Sequence, residues 1–346
     1  MYRKAIEDLH KWKNKENKKP LIIRGARQVG KTWLMKEFGN IAYTDTVYIN
    51  FENNPQMAGL FAADMKIDRI ITGIEIYNGR KIDPQNTLLI FDEIQEVPAA
   101  LTSLKYFNEN APQYQIVCAG SLLGVALHPG TSFPVGKVEF LDLYPLSLTE
   151  FMLAMQKGQF ADLLKNGDLD MATTFKQEYV DLLKHYYYVG GMPEAVQDFA
   201  ENRDFNSVRD IQQRILTAYE QDFSKHAPGG EVPRIRMLWN SIPSQLTKEN
   251  KKFIYGLIKE GARAKDYEMS MLWLTDCGLV HKIDRVTKPN LPLTAYEDLK
   301  AFKLFLVDVG LLSCQVRLGQ TVLLEGDRLF NEFKGALTEQ YILQQL

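Results

Sequence analysis

Leu21-Ile-Ile-Arg-Gly25-Ala-Arg-Gln-Val-Gly30-Lys31-Thr32 reads as an apolar strand, a glycine-bounded loop, and the start of a helical pattern running from Trp33 to Phe38. Gly25, Ala26, Arg27, Gln28, Val29, Gly30, Lys31 and Thr32 fit GxxxxGK[ST], the phosphate-binding loop. The two glycines let successive backbone N–H groups turn inward around a β-phosphate. Lys31 adds a point charge toward the β/γ oxygens, and the Thr32 hydroxyl is placed to ligate Mg²⁺. The helix that follows points its positive N-terminus at the same anion. A glycine-rich turn before a lysine can be an ordinary loop, but strand, loop and helix stand here in the required order. The expected ligand is a nucleoside triphosphate together with Mg²⁺.

Outward from this loop, Val47 to Phe51, Thr87 to Phe91 and Gln115 to Ala119 are short apolar runs bounded by polar or turn residues, with helical patterns between them. Strands alternating with helices predict an α/β fold, the parallel sheet of a P-loop NTPase covered on both faces. A further short strand is expected near Lys137 to Leu141. Leu88-Leu-Ile-Phe-Asp92-Glu93 is an apolar strand ending in two carboxylates. Such residues also serve as simple helix caps, but these stand about 60 residues after the phosphate loop, where a second nucleotide motif belongs. Asp92 is then expected in the Mg²⁺ shell, and Glu93 is expected to orient or deprotonate an attacking water. This pairing fits a hydrolase better than a kinase, whose acceptor needs its own pocket. The strand Gln115 to Ala119 runs into Gly120-Ser121 at the carboxyl edge of the sheet, where ligands bind. Ser121 could hydrogen-bond the γ-phosphate or the attacking water, or it could cap the next helix.

The bulk numbers suit a multidomain globular chain: 346 residues, 45% hydrophobic and 24% charged. A net charge of −2 hides an asymmetry, since residues 1 to 40 carry eleven Lys/Arg against four Asp/Glu, and residues 234 to 288 carry eleven against six. Either segment could face a polyanion or be a solvated surface, so charge alone does not establish nucleic-acid binding. Cys118, Cys277 and Cys314 are odd in number, widely spaced and set in apolar surroundings, which suits free thiols in a reducing compartment. The N-terminus lacks an apolar signal core and no run approaches the ~20 apolar residues that cross a bilayer. The expected location is cytoplasmic, with no membrane partner.

From Leu148 the pattern is helical, with amphipathic stretches at Phe151 to Met155, Phe175 to Tyr188, Pro193 to Phe199 and Phe205 to Tyr219, as in a helical lid. His226-Ala-Pro-Gly-Gly-Glu-Val-Pro233 has the turn chemistry of a linker. Ile235 to Ile242, Asn250 to Ile258 and Ala264 to Cys277 then read as three helices, followed by strands at Gly278 to Arg285 and Lys303 to Val307. Three helices and a two-stranded wing suggest a winged helix-turn-helix. Arg263 and Lys265 precede or begin its recognition helix, which makes DNA a candidate partner. Trp239 and Trp273 read as core.

GARQVGKT at 25 to 32, LLIFDEIQ at 88 to 95, AGSLLGVAL at 119 to 127, FPVGKVEFLDLYPLSLTEF at 133 to 151 and VGGMPEAV at 189 to 196 together resemble prokaryotic AAA+ ATPases of the archaeal-type, STAND-related group. The likeness continues through IPSQLTKENKKF at 242 to 253 and FKLFLVDVGLL at 302 to 312, so it covers nearly the whole chain. It implies an ATPase that binds ATP or ADP with Mg²⁺, and together with the pattern above it gives a core over 1–147, a helical lid over 148–226, a winged-helix-like domain over 227–312 and the start of a C-terminal domain over 313–346. It also implies that Pro193, in Gly191-Met192-Pro193, is placed against the adenine from the lid. The same Gly-Gly-Pro sequence would break a helix between two lid segments.

Two departures from that family stand out. Rings of this class take an arginine from a neighbouring subunit at the γ-phosphate, a group that can supply ~10³-fold or more in rate. Between Ser121 and Pro145 the chain has no arginine and only Lys137 as a basic residue of that kind. Lys137, Arg203 or a neighbour in a homo-oligomer could serve, or hydrolysis is slow and the chain works as a nucleotide-dependent switch. The second departure lies at Gly335 to Leu346, which resembles the opening helix of the family's nuclease-like domain, with Glu339 at its first acidic position. The later acidic and lysine positions are missing, so nuclease activity is not expected and the domain reads as truncated. Phe333, Leu337, Tyr341 and Leu346 on one side of that helix call for a partner surface.

Overall fold

The computed structural model describes residues 1–120, 134–247, 252–321 and 328–346, with backbone alone for 328–332. They divide into two compact units, one spanning Arg3–Tyr144 and the other Pro145–Leu346 with Met1 and Tyr2.

The first unit is a five-stranded parallel sheet with its helices in the connections. Its elements are α1 (Ala5–Lys13), β1 (Leu21–Arg24), α2 (Lys31–Ala42), β2 (Asp45–Asn50), α3 (Pro55–Ala63), α4 (Ile67–Asn78), β3 (Thr87–Asp92), α5 (Pro98–Asn110), β4 (Gln115–Ala119) and β5 (Glu139–Asp142). The strand order is β2-β3-β4-β1-β5, and every pairing is parallel. Burial follows position in the sheet. Every residue of the central strands β3 and β4 is buried, whereas the edge strands β2 and β5 alternate, as a sheet covered on both faces requires. Phe91 is fully buried, and its ring meets those of Phe51, Phe61 and Phe107 edge-to-face at centroid distances of 5.6, 5.8 and 6.4 Å. Burial of each such ring contributes about 1.5–3 kcal/mol, and this cluster joins the sheet to α3 and α5.

The β1–β5 edge fixes the phosphate-loop entrance. Arg24 pairs in register with Asp142 and its guanidinium makes a two-pronged hydrogen bond to that carboxylate at 2.8 and 2.9 Å. The Leu143 amide then donates to the Arg24 carbonyl at 2.7 Å. Gly25 follows with φ of +153°, and a Cβ there would stand 2.2 Å from the Leu143 carbonyl oxygen. Glycine is required at this turn by the fold itself, before any ligand is considered.

The second unit begins with α6 (Leu148–Ala154), which opens on a capping box between Ser147 and Glu150. It continues through α7 (Gly158–Asn166), α8 (Leu169–Thr174), α9 (Lys176–Val189), α10 (Pro193–Asn202), α11 (Phe205–His226), α12 (Val232–Thr247) and α13 (Glu268–Asp276). An antiparallel hairpin, β6 (Val280–Val286) with β7 (Glu297–Leu306), carries a bulge between Asp284 and Arg285, and α14 (Val309–Gln315) and α15 (Arg328–Gln345) complete the unit. The middle helix expected at 250–258 is instead a short 3-10 turn at Tyr255–Leu257, with residues 250 and 251 outside the described set. Gln245 explains the extended stretch before the turn: its side chain both accepts from the Ile254 amide and donates to the Ile254 carbonyl, at 3.0 and 2.8 Å. Those bonds replace a helix's own.

Of the apolar side expected of the last helix, Phe333, Leu337 and Tyr341 are covered inside this unit, whereas Leu346 is fully exposed. Leu337 is fully buried, and Tyr341 packs against Tyr186 and Tyr187. Gln340, also fully buried, grips the end of β7 by accepting from the Leu306 amide at 3.0 Å and donating to its carbonyl at 2.6 Å. Gln344 accepts from the Val309 amide and donates to Tyr186 and Asp308, while Gln345 accepts from the Leu148 amide. Asp308 is the hub of this network. It caps α14 at the Leu311 amide, 2.9 Å, and accepts from the Gly191 amide at 2.6 Å. The backbone at Gly190, with φ of +73°, lies so close that a Cβ would stand 2.1 Å from the Asp308 carboxylate.

No helix among the described residues is long and apolar enough to cross a membrane. Cys118 and Cys314 are buried free thiols, and Cys277 is partly buried.

Candidate nucleotide site

The loop between β1 and α2 ends in two residues with positive φ, Gln28 at 66° and Gly30 at 92°, the latter serving as the N-cap of α2. Such left-handed turns rotate successive amides toward one point, the backbone concavity that binds anions. The loop is held from behind by Arg3, 4% exposed, whose guanidinium donates to the Val29 carbonyl at 3.0 Å and to the Tyr144 carbonyl at 2.6 Å. Ala26 and Val29 are buried and act as the loop's anchors, while Arg27 and Gln28 face solvent.

Lys31, the first residue of α2, folds back so that its ammonium donates to the Gly25 and Ala26 carbonyls at 2.9 and 2.8 Å. Burial lowers its pKa to about 8, against the raising influence of Glu93 and Asp92; Arg27 lowers it further. A cation removed from water at a helix N-terminus, with carbonyl oxygens as its hydrogen-bond partners, is arranged to receive an anion.

Asp92 ends β3 and is 4% exposed. Its Oδ2 accepts from the Thr32 hydroxyl at 2.7 Å and from the Tyr48 hydroxyl at 2.9 Å, and its Oδ1 accepts from the Glu93 amide at 3.2 Å. The sequence-predicted metal pair, Thr32 and Asp92, is therefore in direct contact. Two adjacent hard oxygen donors beside a phosphate loop suit Mg²⁺, which keeps several waters and takes few protein ligands.

Glu93 turns the chain sharply out of β3 with φ of 50°. Its carboxylate Oε2 accepts from the Gln95 side-chain amide at 2.6 Å. Lys31, Thr32, Asp92 and Glu93 thus lie together at the carboxyl ends of β1 and β3. Ser121 lies outside the described residues. Pro193 belongs to the second unit, at the first position of α10, following the Gly190–Gly191 turn held by Asp308. Of the cations considered for the γ-phosphate, Lys137 is ion-paired with Glu109 at 2.8 Å, and Arg203 lies 5.4 Å from the Phe199 ring centroid with one nitrogen 2.9 Å from the Met155 sulfur.

Arg3, Tyr48 and Gln95 carry no site role in the sequence motifs. Tyr48 had one local signal. It occupies the half-exposed phase of an alternating strand, but the register of Asn50 with Asp92 comes from the fold and not from residues near it. Arg3 had none, because its partners are 26 and 141 residues away.

On α13, the expected recognition helix, the exposed side chains are Glu268, Met269, Leu272 and Asp276, with Arg263 and Lys265 exposed just before it. Trp239 and Trp273 are buried and pack edge-to-face with Phe223.

Residues 17–152 match the family model described as AAA domain, and residues 180–321 match one described as a domain of unknown function. No curated protein matches the sequence. Among solved structures, the chain is similar to a Walker-type ATPase of Pyrococcus abyssi, with a TM-score of 0.57, 12% identity and coverage of 91% of this chain and 95% of that one. It also aligns with the Aeropyrum pernix Orc1 protein in complex with DNA, at a TM-score of 0.32 and 16% identity over 99% of this chain and 93% of that one. The Thermotoga maritima RuvB Holliday junction branch migration motor aligns at a TM-score of 0.37 and 14% identity over 81% and 89%. With the parallel sheet and the loop geometry, the first unit has the α/β fold of a P-loop NTPase, and residues 17–152 within it and just beyond are similar to an AAA domain.

Proposed function

We propose that the chain binds ATP with Mg²⁺ on the loop from Gly25 to Thr32 and hydrolyses it. The observation that carries this reading is the contact of Thr32 with Asp92 at 2.7 Å, beside the buried ammonium of Lys31. The loop amides and Lys31 would hold the β- and γ-phosphates, and Thr32 and Asp92 would hold the Mg²⁺ shell. Bound Mg²⁺ would neutralise charge on the β/γ oxygens. Glu93, one residue beyond Asp92 and partly exposed, would orient the attacking water and accept its proton. Pro193 is the residue through which the sequence motif would couple nucleotide to the helical unit.

Phosphate release from Mg·ATP by the full chain tests this. Lys31→Ala is expected to lose nucleotide binding, and Glu93→Gln to keep binding while turnover falls by about 10²–10⁴-fold, the usual loss on removing a general base. Wild-type turnover retained in both variants would refute the proposal.

A second reading, a slow nucleotide switch, is favoured by the bond from Gln95 to Glu93 at 2.6 Å, which engages one of the two carboxylate oxygens of the proposed base. On that reading Gln95→Ala speeds turnover, whereas a Gln95 that merely supports the base slows it when removed.

A further inference from the structure

Tyr48 lies on β2, the edge strand beside β3, and its ring is half-buried. The Lys36 ammonium sits 3.8 Å from the ring centroid, and the hydroxyl reaches across to Asp92 Oδ2 at 2.9 Å. The same oxygen takes the Thr32 hydroxyl, while the Glu93 amide serves the other oxygen. A carboxylate attached through a single bond rotates in a broad, roughly two-fold well. Thr32 cannot lock it alone, since its oxygen has a second task once a metal is present. Tyr48 has no such task, because a neutral phenol with its proton on Asp92 is a donor and a poor metal ligand.

We propose that Tyr48 is a positioning residue that holds the Asp92 carboxylate in the orientation the Mg²⁺ shell requires, and so sets the metal affinity of the nucleotide site. The inference rests on the Mg·ATP site proposed above. The hydroxyl acts from outside the metal shell, as partners of metal ligands do when they fix a ligand's rotamer, and loss of such a partner typically weakens metal binding 10–100-fold. The loop amides and Lys31 do not depend on Tyr48, so metal-free nucleotide binding is left untouched.

The experiment uses the full chain, a fluorescent non-hydrolysable ATP analogue, and titrations with Mg²⁺ and in excess EDTA. For Tyr48→Phe, affinity in EDTA is expected within about twofold of wild type, and the Mg²⁺ concentration for half-maximal tightening is expected to rise about tenfold. An unchanged or lowered Mg²⁺ requirement overturns the inference and leaves the site reading intact. Equal weakening with and without metal also overturns it, since the tyrosine would then be a general support of the pocket. A wild-type chain whose affinity for the analogue ignores Mg²⁺ overturns the site reading and this inference together.

Discussion

The two units are held together in different ways. In the first, the centre of the sheet is continuous apolar surface, with Phe51, Phe61, Phe91 and Phe107 meeting ring to edge, and the buried Arg3 grips backbone only at its margin, at the Val29 and Tyr144 carbonyls. In the second, several joints between elements are made by buried polar side chains that grasp backbone: Asp308 on Gly191, Gln340 on Leu306, and Gln212 on the Tyr188 and Val189 carbonyls. Apolar burial is forgiving of direction, whereas a buried carboxylate or amide is favourable only when each partner is in place. The first unit can therefore tolerate small displacements around its core, and the second is keyed to one arrangement of its last three elements.

The contrast can be broken by experiment. Phe91→Ala removes the ring at the centre of the aromatic cluster and is expected to cost about 3–5 kcal/mol in denaturant unfolding, with amide protection lost in β2, β3 and α5. Asp308→Ala leaves the Gly191 and Leu311 amides and the Gln344 amide without their acceptor, and is expected to cost about 3 kcal/mol, with protection lost around residues 186–193 and in α15. A cost below about 1 kcal/mol would remove the distinction between the units.

The smallest effect is a dependence on pH. Burial lowers the pKa of His185, packed against Phe199 and Phe205, and of His281, both from an ordinary value of 6.5. Below pH 6.5 the unfolded chain takes up protons that these folded histidines refuse, so stability present above that value falls as the solution is acidified through it. The unfolding midpoint is expected to drop between pH 7.5 and 5.5, and to drop less in His185→Phe, as read by thermal denaturation at the two pH values. An equal drop in the variant would remove His185 from the account.

The same contrast explains what was legible in the sequence. β1, β3 and β4 could be placed to within a residue because apolar runs bounded by turns encode a buried parallel strand locally. Lys31, Thr32, Asp92 and Glu93 could be brought together because their two motifs carry their own spacing. Tyr48 could not, since nothing near it announces that β2 is the neighbour of β3 and that the phenol faces Asp92. The second unit resisted for the same reason: Asp308 is 117 residues from Gly191, and Gln344 is 158 from Tyr186. The stretch at 250–258 has helical apolar spacing, yet Gln245 satisfies Ile254 from α12 and leaves only the short turn described above.

The approach of the Leu143 carbonyl to Gly25 bears on how genetics at this loop would be read. Any side chain at position 25 must displace the exit of β5 before it can disturb a phosphate. A loss-of-function allele there would report misfolding of the sheet edge as readily as failed nucleotide capture, so Gly25 is an ambiguous marker of ATP dependence. The Lys31 ammonium is buried against the loop itself, donating to the Gly25 and Ala26 carbonyls. Its truncation removes a charge and two loop hydrogen bonds but places no new atoms against the exit of β5, which makes it the cleaner allele for separating what the chain does with nucleotide from whether it folds.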